Sequence, residues 1–354
     1  MQKEKNYFEI HNRKYIGAKY RLLDFLSGVI LKRLKKIGVF IDGFAGTGVV
    51  GHHFNRYADK VISNDNLYSN YVVNKAFLDT NKDNACLEKL KAVIYKLNKK
   101  PGIRGYAYNH FSGTYFTHEN AALIDDVREE IERITNCTLQ EKYILLTSLL
   151  YAMDKAANTV GQYDAFLKHI DRSGSSESFN TGKHLIDSNV QKRLTLLMPK
   201  IEFNHSNEIY NEDINDLISR IKGDILYIDP PYNNRQYIDC YHVLENIIRW
   251  EKPDVFGKTK KFKRDNLKSR YSKKHQAYMA LKDLLHKAQT RYIVISYNNE
   301  GIIPDEAIYT LLQSKGTLEV IEQEYPVFGH GAGRSVKRPV LEKLYFCKVK
   351  QYEV

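Results

Sequence analysis

The sequence predicts an α/β protein: a parallel sheet with helices on both faces, interrupted by an inserted, mainly helical segment. Three observations lead there. Short apolar runs alternate with helical periodicity over the first 80 residues and again after residue 200. A glycine-rich turn, "GFAGTGVVG", separates the first apolar run from the helix after it. Between about 80 and 200 the alternation stops and only helical patterns remain. A length of 354 residues accommodates one large α/β domain with an insertion, or two domains. The parts expected are therefore 1–80, an inserted 81–200, and 201–354.

Taken in order, "YIGAKYRLLDFLSGVILKRLKK" opens with a glycine turn. It continues with Leu22, Leu23, Phe25, Leu26, Val29, Ile30 and Leu34 at amphipathic helical spacing. "GVFIDGFAGTGVVGHHF" reads as strand, glycine loop and helix, "KVISND" as a second strand, and "NLYSNYVVNKAFLDTN" as the helix after it. In the insertion "IDDVREEIERI" and "LQEKYILLTSLLYAMDKAAN" read as helices, and "IDRSGSSESFNTGK" as a polar loop. Strands resume with "IEFNHSN", "DILYIDPPY", "RYIVISYN" and "TLEVIEQEYPVF". Proline lacks a backbone donor, so "DILYI" must stop abruptly at Asp229.

The composition narrows the function classes. No apolar run approaches the roughly 20 residues of a membrane helix, and "MQKEKNYFEIHNRK" has no secretory apolar core, so a cytoplasmic protein is expected. Cys86, Cys137, Cys240 and Cys347 are far apart and form no CxxC, which points away from zinc and disulfides. Adjacent His52 and His53 diverge on a helix with no carboxylate spaced to complete a site, so no metal is expected. A net charge of +12 favours a polyanionic partner. The stretch 257–276 gathers nine Lys/Arg against one Asp and is read as a solvated run with little shape of its own, suited to phosphates. Trp250 is assigned to helix packing, and Asn298 and Asn299 to a turn.

Two motifs carry chemistry. Gly46, Gly48 and Gly51 form G-x-G-x-x-G, where glycines allow a tight turn and close approach of a ligand to backbone N–H groups. Asp65 closes the next strand 17 positions after Gly48, placed to accept both hydroxyls of a ribose. That pattern fits NAD as readily as S-adenosylmethionine. The second motif, "DPPY" at 229–232, sets a carboxylate, two rigid residues and an aromatic at a strand tip, which ordinary strand termination does not require.

With these motifs in this order, the chain resembles the Dam-like (alpha) class of adenine-specific DNA methyltransferases. The resemblance runs from "RKYIGAKYRLL" through "FIDGFAGTGVVG", "ISND", "NEDINDLI" and "DPPY" to "YHVLE" and "YIVISYNNEG". Two insertion blocks, "SGTYFTHENAALIDDVREEIE" and "ANTVGQYDAFLK", are similar to the type II restriction-modification subgroup. The resemblance implies a Rossmann-like S-adenosylmethionine-dependent methyltransferase sheet with a target-recognition domain inserted at 81–200. It implies methyl transfer to a flipped-out adenine N6 in double-stranded DNA, with a restriction endonuclease as the cognate partner. Asp229, Pro230, Pro231 and Tyr232 would be the catalytic loop: Asp229 and the Pro230 carbonyl accept the amine N–H groups, Pro231 stiffens the loop, and Tyr232 stacks on the base.

Carried over residue by residue, Tyr15 and Lys19 would contact the methionine part, with Asp42 near its amino group; the family often has Trp at the Tyr15 position. Phe44, Gly46 and Gly48 would line the loop, Asp65 take the ribose, and Asp213 and Ile214 meet the adenine, beside Asp229 itself. For DNA, Lys260, Lys261, Lys263, Arg264 and Arg235 are expected on phosphates, and 106–117 or 171–183 on the recognised bases. An RNA adenine-N6 methyltransferase and a non-catalytic DNA-binding relative are the alternatives.

Overall fold

The computed structural model describes residues 7–167, 188–203, 206–325 and 340–350. The strands are β1 (Tyr7–Phe8), β2 (Ile37–Asp42), β3 (Ala58–Asn64), β4 (Met198–Pro199), β5 (Glu208–Tyr210), β6 (Lys222–Ile228), β7 (Gln289–Asn298), β8 (Gly316–Tyr325) and β9 (Val340–Val349). Up to the end of the insertion the helices are α1 (Leu23–Arg33), α2 (Val49–Phe54), α3 (Tyr68–Leu78), α4 (Leu87–Leu97), α5 (Tyr106–Phe111), α6 (His118–Arg133), α7 (Leu139–Ala156) and α8 (Ser188–Gln191). After it come α9 (Ile214–Leu217), α10 (Tyr237–Arg249), α11 (Ala277–Lys287) and α12 (Asp305–Lys315).

Seven strands form one sheet in the order β5-β3-β2-β6-β7-β9-β8. The pairings from β5 to β7 are parallel, and β9 runs antiparallel between β7 and β8. This is the Rossmann-like α/β sheet that the strand–helix alternation predicts. Its chain order reverses beside β2: β3 and β5 build outward on one side, β6 and β7 on the other. Open parallel sheets form their crevice at the carboxyl ends of the strands flanking such a reversal.

Side chains of a strand alternate between faces, and β6 shows why this sheet must be covered on both. Ile225 and Tyr227 join one hydrophobic cluster with α1, α3, α7 and α10. Leu226 and Ile228 join another with α9, α11 and α12. The inserted helices lie on the first of these faces. Helix α7 is buried nearly all round, as a helix apolar on every side must be, and packs on α3. Its start is fixed by a capping box between Thr138 and Glu141. Arg128 of α6 donates to the carbonyls of Ile247 and Ile248 at the end of α10.

Two expectations need correcting. "IEFNHSN" is not a strand over its described part; the edge strand is the three residues Glu208–Tyr210, paired with Ile62–Asn64. The basic stretch 257–276 has shape: Phe256 and Lys261 pair as a β-bridge, and single turns of 3-10 helix follow at Asp265–Leu267 and Arg270–Ser272. The Thr259 carbonyl accepts from the Tyr115 hydroxyl at 3.0 Å and lies 2.6 Å from His242 Nε2, so buried groups of α10 and the insertion pin the stretch down. The loop 170–183 lies outside the described residues. Among the described residues no helix is long and apolar enough to cross a membrane, and no group of three His, Cys, Asp or Glu side chains is placed to hold a metal ion.

Candidate active site

A cavity opens where β2 and β6 end side by side, with Asp42 in register with Tyr227. Its wall takes in Tyr15, Lys19, Phe44, Gly46, Asp65, Asp229 and Pro231 of the expected residues, together with Tyr237, Leu267 and Ser269. Residues from five separated stretches of sequence thus meet in one crevice.

The glycine loop explains itself sterically. Gly46 and Gly48 have φ of +53° and +83°, a region that disfavours any side chain. A Cβ on Gly48 would lie 2.5 Å from Asn74 Oδ1, and one on Gly46 would lie 3.2 Å from the Tyr15 ring. The turn is tied to the end of β3: Gly46 N donates to Asp65 Oδ2 at 2.8 Å, while Asp65 Oδ1 accepts from Leu67 N at 2.8 Å and Asn70 Nδ2 at 3.0 Å. Burial pushes the Asp65 carboxyl up to about 6 against these donors. Asn70 also donates to the Tyr15 hydroxyl at 2.8 Å and accepts from buried Arg13 at 2.9 Å. Tyr15 stacks on Tyr241, centroids 4.5 Å apart, in front of Tyr237.

Asp229 stands one residue beyond β6. Its Oδ1 lies 3.1 Å from Lys19 Nζ, and Lys19 is buried with its other side on Glu342 Oε1 at 2.9 Å. Burial raises the Asp229 carboxyl to about 7; Lys19 opposes the rise and Glu342 adds to it. Pro230 is buried and Pro231 faces the cavity. Tyr232 lies half-buried, edge-on to Tyr297 at 6.4 Å, with Lys19 Nζ 5.7 Å from its ring centre and its carbonyl held by Ile302 N at 2.9 Å. The loop is therefore fixed from both sides.

The other expected residues are not on the cavity wall. Asp42 is beneath the loop: its Oδ2 accepts from Gly51 N at 3.0 Å, its Oδ1 is buried without a partner, and burial raises it to about 7. Gly48 shapes the turn from behind the wall. Asp213 is exposed, capping α9 through Asn215 N at 2.9 Å and pairing with Arg270 at 3.3 Å. Ile214 is buried in the second core cluster. Arg264 is no free cation: it is buried, paired with Asp239, and donates to the Phe262 carbonyl at 2.7 Å. Arg235 is exposed and bonded to Gln162 and Asp164. Lys263 is exposed, Lys260 and Lys261 half-buried. Trp250 ends α10 against Tyr106, and Asn298 caps a turn through Glu300 N.

The residues that sequence reasoning missed are Arg13, Asn70, Tyr237 and Glu342. Arg13 directly precedes "KYIGAK" and Tyr237 follows "DPPY" closely, so proximity to motifs could have flagged them. Nothing in "VLEKLYF" marks Glu342 as buried, because a glutamate in an alternating strand usually faces water.

Comparison with known proteins supplies an independent line. Residues 15–311 match the D12 class N6 adenine-specific DNA methyltransferase family. The modification methylase StsI of Streptococcus sanguinis is 34% identical over 96% of this chain and 52% of its own length. The type II methyltransferase M.FokI of Planomicrobium okeanokoites is 37% identical over 86% of this chain and 47% of its own. The chain thus spans about half the length of these two relatives. It spans 92% of the type II methyltransferase M.NlaIII of Neisseria lactamica, at 34% identity over 89% of this chain.

Proposed function

The chain belongs to the D12 class of N6 adenine-specific DNA methyltransferases, and we propose that it methylates adenine N6 at specific sites in double-stranded DNA. Its role would be that of the modification enzyme of a type II restriction-modification system, acting in the bacterial cytoplasm beside a cognate endonuclease. The family implies S-adenosylmethionine as the methyl donor. The observation that carries the reading is the shared cavity: Asp229, at the tip of β6, faces the same space as the glycine loop and Asp65.

The cavity's charges suit that donor better than a dinucleotide. A pyrophosphate needs free backbone N–H groups at the glycine turn, but the Gly46 N–H is already given to Asp65. Carboxylates on the wall, and the buried, unpartnered Oδ1 of Asp42 below it, favour a ligand that carries positive charge. Tyr15, Phe44, Gly46 and Asp65 would hold it. When bound, S-adenosylmethionine supplies an electrophilic methyl group on a positively charged sulfur.

This chain's residues would then act on the adenine. The amino lone pair is delocalised into the ring, so the amine is a poor nucleophile until acceptors draw on its N–H groups. The Asp229 carboxylate would accept one N–H and the Pro230 carbonyl the other, while Pro231 keeps the two acceptors in place. Tyr232 would offer a ring face to the extruded base. As the new N–C bond forms, the displaced amine proton would pass to an Asp229 oxygen; a carboxyl raised to about 7 is matched to that task near neutral pH.

We assign target recognition to the inserted helical part, 81–200, and sequence-independent phosphate contact to Lys260, Lys261 and Lys263. Arg264 is left out because its charge is spent on Asp239. The test is to express the chain in a host without adenine methylation and sequence its DNA for N6-methyladenine. One recurring methylated motif is expected. Unmethylated DNA together with adenine-methylated RNA would overturn the reading.

A further inference from the structure

Lys19 is buried between carboxylates from distant parts of the chain. Its Nζ is 3.1 Å from Asp229 Oδ1 and 2.9 Å from Glu342 Oε1. Glu342, on β9, is 5% exposed and accepts a 2.6 Å hydrogen bond from the Ser296 hydroxyl on β7. It falls outside the stretch 15–311 that matches the family. An ammonium has donors for both carboxylates. With all three groups ionised, however, the cluster keeps one excess negative charge. A Lys19–Asp229 pair by itself would be neutral, and its carboxylate a weaker acceptor.

We infer that Glu342 is a positioning residue for methyl transfer: by sharing the Lys19 ammonium it keeps Asp229 a strong acceptor for the adenine amine. The inference rests on the proposed role of Asp229 and adds a residue that touches neither base nor donor. The groups facing Asp229 are Lys19 from the N-terminal segment, Asp42 from β2, Tyr227 from β6, Tyr232 and Tyr237 after the strand tip, and Glu342 from β9. Burial raises the three tyrosines, so they stay neutral where the enzyme works. Asp42 holds the Gly51 amide with one oxygen only, and beyond burial it is Lys19 and Glu342 that shift the Asp229 carboxyl. The balance at Asp229 is therefore set between Lys19 and Glu342.

Glu342→Gln keeps the shape and an oxygen for Lys19 while removing the charge. Two measurements test it in the full chain. One is single-turnover methylation of adenine-unmethylated genomic DNA across pH 5.5–9. The other is a carbon-13 NMR titration of the Asp229 carboxyl, assigned with Asp229→Asn. Losing a negative neighbour lowers a carboxyl pKa, so both midpoints should fall by about one pH unit. The rate at pH 8 should drop about three- to tenfold, with calorimetric affinity for S-adenosylhomocysteine nearly unchanged. A carbon-13 midpoint that does not move, or one that falls with no change in rate, overturns the inference. Full activity in Asp229→Asn would instead sink the proposed function, and the carbon-13 titration would still decide whether Glu342 governs Asp229.

Discussion

The tips of β2 and β6 lie side by side and end in the same residue type, yet the two carboxylates are held differently. Asp42 is 1% exposed and bonded to a backbone amide of its own βα turn. Asp229 has a side chain 16% exposed, faces the cavity, and is steadied by a lysine from a distant segment. Burial raises both to about 7. Proton affinity therefore does not separate the two acids at this end of the sheet. What separates them is who satisfies the oxygens. A carboxylate bonded to its own turn shapes that turn, whereas one restrained by a side chain and left facing space can exchange partners with a substrate.

The sharpest way to break this comparison is Asp229→Ala. Losing a directed acceptor should cost about 3 kcal/mol or more of transition-state stabilisation, a loss of about a hundredfold or more in single-turnover rate. Thermal stability should change little, since the loop does not hold the sheet together. A variant with near wild-type turnover would remove Asp229 from the chemistry.

Asp42→Asn sharpens the other side. A carboxyl whose folded-state value is raised binds more protons folded than unfolded, so its stabilising effect is present at low pH and lost as pH rises toward about 7. Asparagine cannot titrate. Between about pH 5 and pH 8 the variant's stability should gain about 1–3 kcal/mol relative to wild type. Urea denaturation at several pH values measures it; parallel curves would mean that Asp42 is not a buried titrating acid. Tyr232→Ala belongs beside these, with an expected loss of about 1–3 kcal/mol in rate as base stacking is removed. Its affinity for S-adenosylhomocysteine should hold in calorimetry, and an equal loss in both would move Tyr232 to the donor site.

The same contrast explains what the sequence made legible. The glycine loop, Asp65 and the end of β6 are local: each follows from strand, turn and helix within a dozen or so residues, and the structure sets them where that order implies. Glu342 was not legible, because its role depends on which distant residue packs against it. Asp213 shows the converse case. An acid at a family position, in a run of acids, caps α9 and pairs with Arg270. Local pattern identifies a residue's type and element; long-range packing decides whether its charge is free.

That distinction gives the smallest expected effect, in the basic stretch. Lys260, Lys261 and Lys263 lie at a pinned turn and its exit, whereas Arg264, next in sequence, is buried on Asp239. Replacing the three lysines with glutamine should weaken binding to cognate and scrambled duplexes alike. The log–log salt slope should fall by up to about 0.9 for each DNA phosphate that is no longer neutralised, while the melting temperature holds. Arg264→Gln should do the reverse: it strips Asp239 of a buried partner, so the melting temperature falls and the salt slope of the folded protein stays. Binding isotherms at several salt concentrations, read with thermal melts, separate the two. If Arg264→Gln lowered the slope as much as a lysine variant did, its charge would reach DNA despite Asp239, and the division into free and committed cations would fail.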